Sequence, residues 1–326
     1  SVLSASPLSI IKGWIDTGSY ALNAVMSGSV KKGVPQGRIV GFYGPSGTGK
    51  TLIMTKIAAN FQKMNPDNWV FIFDSENAVD MNTCVALGAN PSRIKHIPVE
   101  TVEETRNTIL PILDEIIESE LQGKVLIIID SLGNLAANKE HEDSQKGKTA
   151  VDMGNRAKQL KSMLRVLTSR AAKANTTVLF SNHEYADPTA MYESIVKSQS
   201  GGEGPIYMAT VLCQLSATRE KNEGDHENDQ ILAAAKKISG LTLKALMTKN
   251  RIVPPFLMTE MYLNFITGLD KYSGCFDLAQ GLGLITGEKK YAWEGTPIGF
   301  RRDFERNPAF WEGAKLDRLD EEVKKK

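Results

Sequence analysis

Short unbroken apolar runs alternate along the chain with stretches whose apolar positions recur every three or four residues. Residues 38–43, 69–73, 125–129 and 177–181 are runs of the first kind, rich in Val, Ile and Phe, and predict strands buried on both faces. Residues 51–63, 79–88, 102–121 and 152–174 carry helical spacing, with a kink expected at Pro111, and a short strand is expected within 93–99. Strands and helices in this alternation predict an α/β fold with a mostly parallel central sheet flanked by helices. From residue 211 the pattern turns strand-like, with the polar stretch 224–230 as a turn. Ahead of the first strand lie Ile10, Ile11, Trp14 and Ile15, then Leu22, Val25 and Met26, then a Gly- and Lys-rich turn at 27–37. The expected organisation is an N-terminal segment at 1–36, a core at 37–267 and a small C-terminal appendage at 268–326, richer in Gly, Lys and aromatics. Ser1 stands where an initiator Met would, so the N-terminus is expected to be truncated or processed.

Composition narrows the class. With 41% hydrophobic and 24% charged residues, the chain is neither disordered, nor collagenous, nor a disulfide-stapled mini-protein. A net charge of +1 gives no global field, so any basic surface is local. Cys84, Cys213 and Cys275 are widely spaced and form no C-x-x-C pair, which suggests neither a disulfide framework nor a zinc site and fits a reducing cytoplasm. No apolar run approaches the ~20 residues of a spanning helix, so no membrane partner is expected. One local asymmetry stands out: residues 153–183 hold Arg156, Lys158, Lys161, Arg165, Arg170 and Lys173 and no Asp or Glu. Lys158, Lys161 and Arg165 are spaced by three and four, which puts them on one helix face able to follow a phosphate backbone.

The chemistry concentrates at strand ends. Gly44-Pro45-Ser46-Gly47-Thr48-Gly49-Lys50-Thr51 matches G-x-x-x-x-G-K-[ST] between a strand and a helix, the context of a P-loop. Its backbone N–H groups and helix N-terminus would cradle phosphates, Lys50 would reach the β- and γ-phosphates, and Thr51 would hold Mg²⁺. Asp130, ending the run 125–129, fits the second magnesium-binding position. Glu76, just past the run 69–73, is the candidate to polarise the attacking water, with Asp74 competing for the role. The segments 139–150 and 184–208 lack regular spacing, and long loops inside a core are usually functional or disordered.

The ordered set of P-loop, Asp74-Ser75-Glu76-Asn77-Ala78, Ile128-Ile129-Asp130-Ser131-Leu132 and Ser181-Asn182-His183 resembles the RecA family of recombinases, and within it the phage UvsX branch. Lys249-Asn250-Arg251 before Pro254-Pro255-Phe256, and the run from Gly268 to Gly274, extend the match to roughly residues 16–300. The resemblance implies a RecA-type P-loop ATPase core using ATP and Mg²⁺, assembled as a helical homo-oligomeric filament on single-stranded DNA. It implies homologous pairing and strand exchange with duplex DNA, with mediator and single-strand-binding proteins as partners, in the cytoplasm (the host's, if phage-encoded). It places the catalytic carboxylate at Glu76 and a γ-phosphate relay at His183, where bacterial members have Gln. It puts Asp80 near the adenine, and Thr83 where bacterial members stack an aromatic. Lys249 and Arg251 match basic residues inserted into the neighbouring protomer's ATP site. Lys158 and Arg165 match DNA-contacting positions. The segments 139–150 and 184–208 correspond to two DNA-binding loops, with Lys197, Gly201 and Gly202 as the contacts expected from the second. The alternatives are a RecA-fold helicase or other DNA-stimulated motor ATPase, and a nucleotide-gated module that does not hydrolyse.

Overall fold

The computed structural model describes residues 10–140, 153–185, 196–220, 240–264 and 268–326. The expected turn at 224–230, most of the segment 139–150 and residues 186–195 of the segment 184–208 lie outside them. Nine strands form the main sheet: β1 (Ile39–Tyr43), β2 (Trp69–Asp74), β3 (Ile94–Pro98), β4 (Val125–Asp130), β5 (Thr177–Asn182), β6 (Val211–Glu220), β7 (Gly240–Asn250), β8 (Met258–Asn264) and β9 (Gly268–Leu269). Their order across the sheet is β9-β8-β7-β6-β1-β5-β4-β2-β3. The six strands from β6 to β3 are parallel. From β6 to β9 the pairing is antiparallel.

The helices are α1 (Tyr20–Ser27), α2 (Lys50–Met64), α3 (Met81–Ala86), α4 (Val102–Glu118), α5 (Met153–Ala174), α6 (Gly204–Met208) and α7 (Cys275–Gly281), followed in the tail by two short helices, Arg301–Phe304 and Pro308–Trp311, and a longer one, Ala314–Lys324. Alternate residues of the apolar strands serve opposite faces, so the unbroken runs build two cores. On one face Val40 and Phe42 of β1 pack with Ile53, Ile57 and Phe61 of α2. On the other, Ile39 and Tyr43 pack with Leu113 of α4 and with Leu160, Leu164 and Leu167 of α5.

Two helices differ from the sequence expectation. The helix expected over 79–88 spans only Met81–Ala86, because the Asp80 carboxylate accepts from Thr83 N–H and caps it. The α4 helix, expected over 102–121, ends at Glu118 and contains the exposed Pro111, whose missing N–H leaves one carbonyl of the preceding turn without its helical donor.

The tail has a core of its own. Phe276, Trp293, Phe304, Trp311 and Leu319 pack together with Ala24 and Val30, so the N-terminal helix region and the tail share one apolar cluster. A buried carboxylate fastens this junction: Asp320 accepts from Ser29 Oγ at 2.6 Å and from Val30 N at 2.8 Å. Among the described residues no helix is long and apolar enough to cross a membrane.

Candidate active site

Parallel strands in register bring their C-terminal ends to one edge. Tyr43 is paired with Asn182, and Asp74 with Asp130. The segments that leave β1, β2, β4 and β5 therefore carry the P-loop, Glu76, Asp130 and His183 to a common place, where ligands gather in open α/β sheets. A cavity of about 250 Å³ lies there, lined by Lys50, Thr51, Glu76, Asp130 and His183, with Leu241 and Leu263 as its apolar wall.

The P-loop turns sharply at Gly44, which has φ +152 and where a Cβ would stand 2.1 Å from the Leu215 carbonyl oxygen. Gly49 precedes α2 in the left-handed conformation, φ 75, so the first helical N–H groups open toward the cavity. Lys50 donates to the carbonyls of Gly44 and Pro45 at 3.0 and 2.8 Å. Burial lowers its pKa, while Glu76, Asp130 and Glu184 pull the other way. A desolvated ammonium whose hydrogen bonds among the described residues go to neutral carbonyls suits an anionic ligand.

Asp130 is 2% exposed and accepts from Thr51 Oγ1 at 2.7 Å and from Ser181 Oγ. Burial pushes its carboxyl up, against the pull of the two hydroxyls. A hydroxyl and a buried carboxylate side by side, facing a phosphate cradle, fit a hard divalent cation. Ser181 is a site residue that sequence reasoning passed over, although its place on β5 one residue before Asn182 is a usable signal.

Asp74 and Glu76 stand in different surroundings. The Asp74 side chain is fully buried and its oxygens are occupied: Oδ1 accepts from Glu76 N at 2.9 Å and Oδ2 from Val79 N at 3.3 Å. His96 Nε2 adds a further bond to Oδ2 at 3.0 Å. Glu76 lines the cavity, and its Oε1 meets His183 Nε2 at 2.9 Å. His183 thus joins the cavity to the segment that follows β5. Asp80, the expected adenine neighbour, does not line the cavity and is engaged at the N-terminus of α3.

The expected DNA residues fall on another surface. Lys158, Lys161 and Arg165 are exposed on α5. Arg156, counted in the same basic stretch, points elsewhere: its guanidinium donates to the carbonyls of Leu132, Gly133 and Leu135 and to Ser200 Oγ. It ties the segment after Asp130 to the one after His183. Two residues before Lys158 is about 200° of helical turn, so Arg156 faces away from the basic stripe. Gly201 and Gly202 have φ +85 and +69, and Cβ atoms there would stand 2.6 Å from Leu160 and 3.4 Å from Ala157. The glycines let this segment close on α5. Lys197 is half-buried, and its backbone N–H donates to the Gln214 side chain.

Lys249 and Arg251 do not line the P-loop cavity. Both donate to the Tyr207 carbonyl at 2.9 Å, at the end of α6, and Lys249 also donates to that of Ile206. Burial and the adjacent Arg251 lower Lys249 to about 8. Arg251, Tyr207 and Lys161 share a second cavity of about 510 Å³, which places the cationic pair beside the basic face of α5.

The RecA N-terminal domain family model matches residues 8–270. The chain is 29% identical over 291 residues to the recombination and repair protein of Enterobacteria phage T4, covering 89% of this chain and 69% of that protein. It is 27% identical over 313 residues to protein RecA of Syntrophus aciditrophicus, covering 95% and 83%. Over 306 residues it is 27% identical to protein RecA of Arthrospira platensis, covering 91% and 76%.

Proposed function

The chain belongs to the RecA family of ATP-dependent recombinases, and we propose that it drives homologous strand exchange by hydrolysing ATP in the cavity above its P-loop. The observation that carries the assignment is the convergence of Lys50, Thr51, Glu76, Asp130 and His183 on that one cavity. The P-loop amides and Lys50 would hold the phosphates of ATP. Thr51 and Asp130 would hold Mg²⁺, which when bound offsets phosphate charge. Glu76 would polarise the attacking water and accept its proton as a bond forms to the γ-phosphorus and the bond to ADP breaks. His183, bonded to Glu76, would relay the state of the nucleotide to the segment after β5, where Lys197, Gly201 and Gly202 lie. Lys249 and Arg251 would complete the site of the neighbouring protomer as trans-acting cations.

Lys158, Lys161 and Arg165 would follow the phosphates of single-stranded DNA. The assembly would be a helical filament acting in the cytoplasm, loaded by mediator and single-strand-binding proteins. The test is ATP hydrolysis with and without single-stranded DNA, for the parent chain and Glu76→Gln. DNA should raise turnover in the parent. Glu76→Gln should bind nucleotide and lose most turnover. Parental turnover in Glu76→Gln would refute the role of Glu76.

A further inference from the structure

We propose that His96, on the edge strand β3, is a positioning residue for hydrolysis: it holds Asp74, and Asp74 holds the turn that aims Glu76. The inference rests on the catalytic role given to Glu76 above. His96 and Asp74 are 22 residues apart and meet because β3 lies beside β2, with Ile72 paired to His96.

The turn after β2 is fixed at two points. On the β4 side, Ser75 N donates to the Asp130 carbonyl at 2.8 Å, and Ser75 Oγ exchanges bonds of 2.9 Å with the backbone of Ser131. On the β3 side the anchor is the Asp74 carboxylate, which gathers Glu76 N, Val79 N and His96 Nε2. Between these anchors and α3, Asn77 adopts φ +54, a left-handed conformation that the surrounding bonds must hold in place. Burial raises the carboxyl of Asp74, but the bonds from His96 and the backbone outweigh it, so its pKa lies below the usual carboxylate range. The acid stays ionised and accepts at both oxygens.

His96 is suited to this work and to no contact with the nucleotide. Its ring is 44% exposed and absent from the cavity lining, so its influence on the reaction runs through Asp74. Without the imidazole, a buried carboxylate loses a donor and the turn loses its edge-side support. Glu76 then samples positions from which it no longer orients water, and small misplacements of a catalytic group are costly in rate.

The test uses the full chain and three variants: His96→Ala, His96→Gln and Glu76→Gln. Gln places an amide N–H near the position of the imidazole Nε2 and so restores the donor. Steady-state hydrolysis is measured with saturating oligo(dT), and nucleotide affinity with a fluorescent ATP analogue. The expected result is a kcat about three- to tenfold lower in His96→Ala, with KM and nucleotide affinity within about twofold of the parent and kcat largely recovered in His96→Gln. Unchanged kcat in His96→Ala overturns the inference. So does an equal loss in Ala and Gln, which would assign the effect to the ring's bulk. Loss of turnover in Glu76→Gln beside normal turnover in His96→Ala refutes His96 alone. Retained turnover in Glu76→Gln refutes the carboxylate assignment and the inference built on it.

Discussion

If Lys249 and Arg251 act in trans, two inactive proteins should restore activity to one another. In the protomer both side chains are held on the carbonyl end of α6 and stand apart from the P-loop cavity. A filament interface is heterologous, joining the P-loop face of one protomer to the cationic face of the next. The perturbation is a mixture of Lys50→Ala with Lys249→Ala/Arg251→Ala. An arginine-finger interaction is worth about 10³–10⁵ in rate, so each protein alone should sit near background. In a random equal mixture half of the interfaces present an intact P-loop, and half of those meet intact cations. About one quarter of sites should therefore hydrolyse ATP. Away from the equal ratio, recovered activity should fall as the product of the two fractions. The assay is phosphate release at fixed total protein on single-stranded DNA, with co-assembly followed by fluorescent labels on the two proteins. No recovery in demonstrably mixed filaments would refute the shared site. Full activity of the double-Ala protein alone would do so more directly.

Two further outcomes follow from other parts of the molecule. Replacing Lys158 and Arg165 by Ala should weaken single-stranded DNA binding and flatten its dependence on log salt by ~0.7 per lost contact, read by titration across salt concentrations; an unchanged slope would leave the stripe as a solvated helix face. Asp320→Ala should leave Ser29 Oγ and Val30 N–H without their acceptor and lower stability by about 1–3 kcal/mol in denaturant titration. Burial raises the Asp320 carboxyl, but bonds from Lys324, Ser29 and Val30 hold it below its ordinary 3.8. Its contribution is therefore full above that value and lost as pH falls through the depressed one. The Ala protein should lack this part of the acid-unfolding limb, and an identical limb in both proteins would refute the assignment.

What was legible in the sequence follows from how local the physics is. The P-loop is contiguous, and its glycines, Lys50 and Thr51 announce their work by spacing. Glu76 and Asp130 were readable because each follows an apolar strand, and parallel strands deliver their C-terminal ends to one edge. The Asp74–His96 contact was not readable. It depends on β3 lying beside β2, and strand order is a property of the whole fold. Arg156 is a different case: its offset from Lys158 places it on the far side of α5, so the helical periodicity that grouped Lys158, Lys161 and Arg165 also excluded it. Asp80 has a local role at the N-terminus of α3 that its position before Met81 signals. Gly201 and Gly202 read as open backbone, while in the fold their missing side chains admit Leu160 and Ala157 of α5.

Whether nucleotide bound at this P-loop powers homologous strand exchange is decided by transfer of a labelled strand from a duplex to homologous single-stranded DNA, with ATP and Mg²⁺, measured for the parent and for Lys50→Ala. The parent should exchange strands only with both ATP and homology, and Lys50→Ala should exchange none. Parental exchange by Lys50→Ala would contradict this, as would ATP-driven separation of the duplex that proceeds equally well without a homologous strand.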